Sequence, residues 1–220
     1  MAERNEFPLQ NYHPIQSEVF NSYYFMNKIY TLVLSLLSLF INAQSQEHIY
    51  DISVNGITVG ELTVSKLVEG TKTSYKLNSR SVITLLGKTT ITTSFVGVFK
   101  NNVLESSTYS SQKNNKPYDN STIIENNGIY TVNRKGKKST IDKPIKYVTC
   151  MLYFEKPVVN ELYFDVLEAV FSPITIVDPN KYLFIDSSNN EKTNYTYLNG
   201  ALEQGSTNHV LYDFTFTLRR

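Results

Sequence analysis

Two alternating stretches, HIYDISV and ITVGELTVSKLV, meet at Asn55-Gly56, and that junction constrains the fold more than any other feature of the chain. Asn and Gly accept the positive φ angles of a type I′ turn, whose twist matches that of two paired strands. Around it Ile52, Val54, Ile57, Val59, Leu62 and Val64 alternate in part with Ser53, Thr58, Thr63 and Ser65. Successive side chains of a strand point to opposite faces, so a period of two describes a strand with one buried face. Gly60 interrupts the second stretch and marks a bulge or a bend.

The pattern recurs to the C-terminus. Glu69-Gly70-Thr71 turns the chain into TSYKLNSRSVITLL, and Leu86-Gly87-Lys88 turns it back into TTITTSFVGVFK. Asn101-Asn102 leads to VLESSTYSSQ, KNNKPYDN reads as a polar loop, and STIIE and IYTVN flank Asn127-Gly128. KYLFIDS turns at Ser188-Asn189-Asn190 into TNYTYL, Asn199-Gly200 opens ALEQGS, and HVLYDFTFTL closes the chain. Thr, Tyr, Val, Ile and Phe dominate these segments, as suits a pleated, half-exposed surface. The reading gives about ten strands at the 8–12-residue spacing of all-β domains. Short turns make each strand antiparallel to the last.

Residues 142–173, DKPIKYVTCMLYFEKPVVNELYFDVLEAVFSP, are denser in apolar and aromatic side chains. Ile145, Val148, Thr149 and Leu152 fit helical spacing, with Pro144 acceptable in a first turn. Leu162, Val166 and Ala169 fit it too, though alternation fits nearly as well. At least one short helix is expected here, plugging or covering an open side of the sheet between the seventh and eighth strands. A meander with one apolar face must close or be capped, or that face and its edges stay wet. The expected fold is therefore all-β with one or two short helices, a strongly curved antiparallel meander sheet or β-barrel. A flat two-sheet sandwich is the competing architecture.

The strands begin late because something precedes them. MNKIYTLVLSLLSLFINAQSQ, from Met26, has one positive residue, Lys28, and an uncharged run from Ile29 to Ile41 before Asn42-Ala43. Such a run is too short for a membrane-spanning helix, which needs about 20 apolar residues. A positive entry, a brief apolar core and a small residue at the end make a secretory signal peptide, residues 26–43, with cleavage expected after Ala43. No cysteine follows it, so a lipid-anchored N-terminus is not expected. The mature chain should be soluble, without a membrane span. Residues 1–25 hold two prolines and no sustained period. A misplaced start codon upstream of Met26 is their simplest account, and a longer polar entry to the signal is the alternative. The expected single domain is 44–220, exported to the periplasm or secreted.

Without residues 1–43 the chain loses Arg4, Lys28, Glu3, Glu6 and Glu18 and keeps a net charge of +2. Nucleic-acid readers carry a strongly basic face, so no nucleic-acid partner is expected. The single cysteine, Cys150, allows no internal disulfide and reads as a small buried hydrophobe. His48 and His209 stand near opposite ends, with no HExxH, His-x-His or Cys-x-x-Cys spacing, and read as surface or edge-strand residues. A Cys150–His nucleophilic pair has no local support, and G-x-S-x-G, phosphate-cradling and dinucleotide motifs are missing from the sequence. No catalytic, cofactor-binding or metal residues and no cofactor are therefore assigned.

Arg134, Lys135, Lys137 and Lys138 form a basic hairpin tip, read as solvated, or else as a contact for anionic lipid headgroups or a partner. The twelve tyrosines after residue 43 line a ligand groove or pack the core and cross-strand pairs. Asn120-Ser121-Thr122 and Asn194-Tyr195-Thr196 match the glycosylation pattern, which matters only in a eukaryotic secretory pathway.

YDISVNGITVGELTV, LYFEKP, VFSP and NYTYLNG, in that order and after a signal peptide, resemble an uncharacterised exported family of Gram-negative bacteria, known as a domain of unknown function. The resemblance spans roughly Ile49 to Phe216. It implies a periplasmic or surface β-protein and supplies no catalytic residues. Where that family carries an acidic residue after the serine of VFS, Pro173 stands here.

The leading expectation is a non-catalytic envelope module whose curved sheet binds a hydrophobic or amphipathic small molecule or lipid, since barrels hold ligands at their mouths. An envelope interaction or scaffold protein, with a protein partner at an edge strand or the basic tip, is the alternative. A hydrolase needs polar groups such as Asp165, Glu168 or His209 to converge in one pocket with shifted pKa values.

Overall fold

Asn55 and Gly56 take φ of 50° and 79°, and the pairs Asn101-Asn102, Asn127-Gly128 and Asn199-Gly200 behave alike. Positive φ at both central positions is what a type I′ hairpin demands, and Asn and Gly tolerate it best. The computed structural model describes residues 43–84, 87–208 and 213–220. Of the expected N-terminal extension (1–25) and signal segment (26–43), all but the exposed Ala43 lie outside them.

Strands β1 (Gln44–Val54), β2 (Ile57–Glu69), β3 (Lys72–Ile83) and β4 (Thr89–Lys100) follow one another as a meander. It continues as β5 (Val103–Lys113), β6 (Lys116–Asn126), β7 (Ile129–Arg134) and β8 (Lys137–Ile141). A second meander comprises β9 (Leu162–Asp165), β10 (Val170–Asp178), β11 (Lys181–Ile185), β12 (Lys192–Leu198), β13 (Ala201–Asn208) and β14 (Asp213–Leu218). The last strand pairs with the first, from Tyr50 opposite Leu218 to Val54 opposite Phe214. The result is one 14-stranded antiparallel sheet in the order β8-β7-β6-β5-β4-β3-β2-β1-β14-β13-β12-β11-β10-β9. At Gly60 the register slips, and Ile52 faces Gly60 while Ser53 faces Thr58, so the glycine marks a bulge.

The sheet curls until its outer strands come near each other. Ser121 Oγ on β6 donates to the Val166 carbonyl beyond β9 at 2.6 Å. Arg134 at the end of β7 meets Glu168 at 2.7 Å. The expected curved meander is therefore what the chain forms, and the flat sandwich is not. Three details differ. Fourteen strands replace about ten, because β8, β9 and β10 add to those expected. KNNKPYDN is no loop: Asn114 and Asn115, at φ 52° and 62°, make another two-residue turn, and β6 begins at Lys116. Leu162 to Ala169 forms β9 and its turn rather than a helix, so alternation wins over helical spacing there.

The connection between β8 and β9 runs through the inside of the curl. Ile145, Val148 and Leu152 are fully buried, and Thr149–Tyr153 winds into one 3-10 turn. The helix expected between the seventh and eighth strands thus lies one strand later and is short. Its apolar spacing reflects an irregular segment wrapped by sheet. Such a segment lacks a ladder, yet its buried backbone groups must be paired. Strand backbone pairs part of it, the Leu104 N–H donating to the Ile145 carbonyl and the Phe164 N–H to the Tyr147 carbonyl, each at 2.9 Å, and tyrosine hydroxyls add to this. Tyr197 donates to the Leu152 carbonyl at 2.8 Å, and Tyr130 receives the Ile145 N–H at 3.3 Å while donating to the Leu104 carbonyl at 2.9 Å. Tyr50 reaches the carbonyls of Tyr153 and Leu202 at 3.3 and 3.1 Å, and the Val158 N–H donates to Tyr163 at 3.0 Å. The plug belongs to two apolar clusters: Leu152 joins one around Tyr50, Tyr197 and Phe216, while Ile145, Val148, Cys150 and Met151 join the other around Phe99, Ile123 and Tyr130. Leu77, Tyr147 and Phe154 touch both.

Candidate functional site

The 3-10 turn blocks the middle of the curl and leaves open space towards each end. Near the β9–β10 and β11–β12 turns lies a cavity of about 500 Å³. Leu77, Phe95, Phe184, Tyr195 and Phe214 line it with apolar surface, joined by Cys150 and Tyr153 from the plug. Asp165, Glu168, Asp186 and Glu191 bring four carboxylates to the same space.

Asp165 ends β9, and its Oδ1 accepts the N–H groups of Leu167 and Glu168 at 2.7 and 3.3 Å. This shapes the turn to β10, in which Ala169 takes φ 56°. Burial pushes the Asp165 carboxyl up to about 6. The two backbone N–H groups oppose that shift, and repulsion from Asp186 and Glu168 adds to it. Asp186, itself buried, accepts the Ser188 N–H at 2.7 Å and so shapes the β11–β12 turn. Both carboxylates are thus fixed by their own turns.

Glu168 is held by both terminal nitrogens of Arg134 at 2.7 Å, a forked pair that offsets its charge. Asp165, Asp186 and Glu191 have no ion-pair partner among the described residues. The site is therefore negative above an aromatic floor. Such a site attracts a cationic or hydrogen-bond-donating head carried on an apolar body. No group of three or more His, Cys, Asp or Glu is placed to hold a metal ion among the described residues.

Asp165 and Glu168, named from sequence as hydrolase candidates, do meet in one cavity, whereas His209 lies outside the described residues. His48 is turned to the plug, with Nδ1 at 3.0 Å from the Tyr153 carbonyl and its ring stacked on Phe154. Cys150 is buried, and burial raises its thiol pKa, which keeps it protonated and weakly nucleophilic. The basic tip is not free: Arg134 is engaged as above, and Lys135 pairs with Asp119 at 2.8 Å. Lys137 and Lys138 are exposed. Sequence reasoning missed Asp186 and Glu191, which sit in a turn with no motif. Only the packing of β11 against β9 through β10 places them beside Asp165.

Residues 50–219 match a family described as a domain of unknown function, DUF6134. A crystal structure of a β-barrel-like protein of domain of unknown function DUF1849 from Brucella abortus is similar at a TM-score of 0.46 and 11% identity, covering 79% of this chain and 95% of that one. No curated protein matches.

Proposed function

The chain belongs to the DUF6134 family, and from that premise we propose an exported, non-catalytic module of the Gram-negative cell envelope. Its carboxylate-rimmed cavity takes a hydrophobic or amphipathic small molecule. One observation carries the reading: a 500 Å³ space with an aromatic floor also holds three carboxylates lacking a cationic partner among the described residues. Sites for small molecules commonly enclose roughly 300–1,000 Å³ and combine apolar walls with a few polar groups. Burying each methylene of a ligand chain contributes about 0.8 kcal/mol, and the carboxylates choose the head. Export rests on the Met26–Ala43 segment.

Calorimetric titration with dodecylamine, below its aggregation concentration, tests this. Saturable binding at one site is expected, weakened at least tenfold by Thr93→Trp, which fills the cavity from β4. A protein that binds no dodecylamine, or binds it equally well after that substitution, is not this module. Asp165 beside Asp186 favours a second reading, a hydrolase in which one carboxyl donates a proton and the other accepts one. Recovery of a co-purifying molecule intact supports the binder. Its cleavage, lost in Asp165→Asn, supports the hydrolase.

A further inference from the structure

A second cavity, of about 610 Å³, lies on the other side of the plug, towards the turns Gly70-Thr71 and Asn101-Asn102. We propose that it is a separate binding site for a single-chain amphiphile with an anionic head, of the fatty-acid type. The plug segment lies between the two spaces: Cys150 and Tyr153 of its 3-10 turn line the first, Met151 of that turn and Glu155 just beyond it the second. Tyr75, Phe99 and Met151 form one wall of the second cavity and are themselves buried, at 4%, 1% and 7% exposed, so that wall is apolar while Lys66, Thr73, Asn101, Asn102, Lys146 and Glu155 make much of the rest of the lining polar. Tyr75 and Phe99 meet edge to face at 5.5 Å, which fixes that wall.

The charges at this end are of the other sign. Lys66 and Lys146 line the cavity, with Glu155 as the acidic residue among its lining. Neither lysine is in an ion pair among the described residues. The Lys66 ammonium stands 5.5 Å over the Tyr75 ring, so it is held at the wall. Lys146 is on the plug segment, next to Tyr147, another lining residue. A carboxylate or sulfate head at these ammonium groups, with its chain along Tyr75, Phe99 and Met151, satisfies both surfaces. An amine head would meet two positive charges there and is directed to the opposite end. The same hydrocarbon tail is thus sorted by head-group charge between two spaces that the plug keeps apart.

The test titrates the purified protein with dodecanoate and, separately, dodecylamine. Dodecanoate is expected to bind saturably, and Lys66→Gln with Lys146→Gln to weaken it at least tenfold while dodecylamine binding stays within twofold. Glu155→Gln, at an exposed position, is expected to tighten dodecanoate several-fold, which checks the site in a variant that leaves the wall untouched. Thr93→Trp, at the other end, should leave dodecanoate unaffected. Dodecanoate that binds not at all, or binds equally well in the lysine double variant, or is lost with Thr93→Trp, overturns the proposal. Because the two ligands report on different cavities, loss of dodecylamine binding alone counts against the carboxylate site and not this one.

Discussion

At the scale of single residues, tyrosine carries much of the construction. A ring large enough to fill a core also brings one hydroxyl, and in four cases here that hydroxyl finds a backbone partner. Tyr50, Tyr130, Tyr163 and Tyr197 connect a segment whose regular structure is one 3-10 turn to the surrounding strands. Their abundance was plain in the sequence, whereas their partners were not, because those partners are backbone groups as far as 152 positions away. Asp165 is the counter-example, a carboxyl held where burial disfavours its charge. Its carboxyl lies near 6 in the folded protein against an ordinary 3.8. Below 3.8 both folded and unfolded chains keep the proton; between 3.8 and about 6 the folded chain holds it more strongly. This group's contribution to stability is therefore full at low pH and is lost as pH rises through 6. Asp165→Asn keeps the Oδ1 acceptor and removes the titration. Urea unfolding from pH 4 to 6.5 should show the wild type losing on the order of 1–3 kcal/mol relative to the variant. Parallel profiles would contradict the assignment.

At the scale of elements, local chemistry decided most of the outcome. Asn-Gly and Asn-Asn pairs set two-residue turns, and two-residue turns set register. KNNKPYDN misleads because charge and Pro117 look like a loop, yet Asn114-Asn115 obeys the same positive-φ rule as the other turns. The β9–β10 hairpin was ambiguous because a four-residue strand shows too few alternations to outvote a helical spacing. Strand pairing also creates requirements that no local rule reveals. Gly205 on β13 faces Phe216 on β14, and a Cβ there would lie 1.9 Å from the tip of that ring. Phe216 packs on Tyr50, Tyr153 and Tyr195, so the ring cannot shift without disturbing the core. Gly205→Ala is expected to cost about 2–3 kcal/mol, as overpacking does. Thermal and denaturant melting measure it, and an unchanged midpoint would mean the ring has room.

For the whole molecule, one pairing matters beyond the rest. β1 and β14 join the two meanders, and Arg219 reinforces the seam by donating its N–H to the Ile49 carbonyl at 2.8 Å and pairing with Asp51 and with Glu61. Contacts between chain ends must overcome the loop entropy of everything between them, so folding should be slow for the protein's size. A chain ending at Asn208 lacks β14 and Phe216 and leaves β1 without its neighbour. It is expected to lose cooperative unfolding and amide dispersion in NMR, although strand-rich circular dichroism persists. A sharp melt in the truncated chain would show that each meander stands alone.

The sequence by itself determined an all-β chain of antiparallel hairpins with one exceptional apolar insert, because side-chain period and turn φ are local properties. The sequence left open whether this insert plugs or covers the sheet; tertiary structure decided that it threads the curl as a plug, that β14 returns to β1, and that Asp165, Asp186 and Glu191 share one cavity. Those outcomes depend on pairing backbone groups and burying surfaces far apart in the chain. Nothing in a residue's immediate neighbours encodes which distant partner will satisfy it.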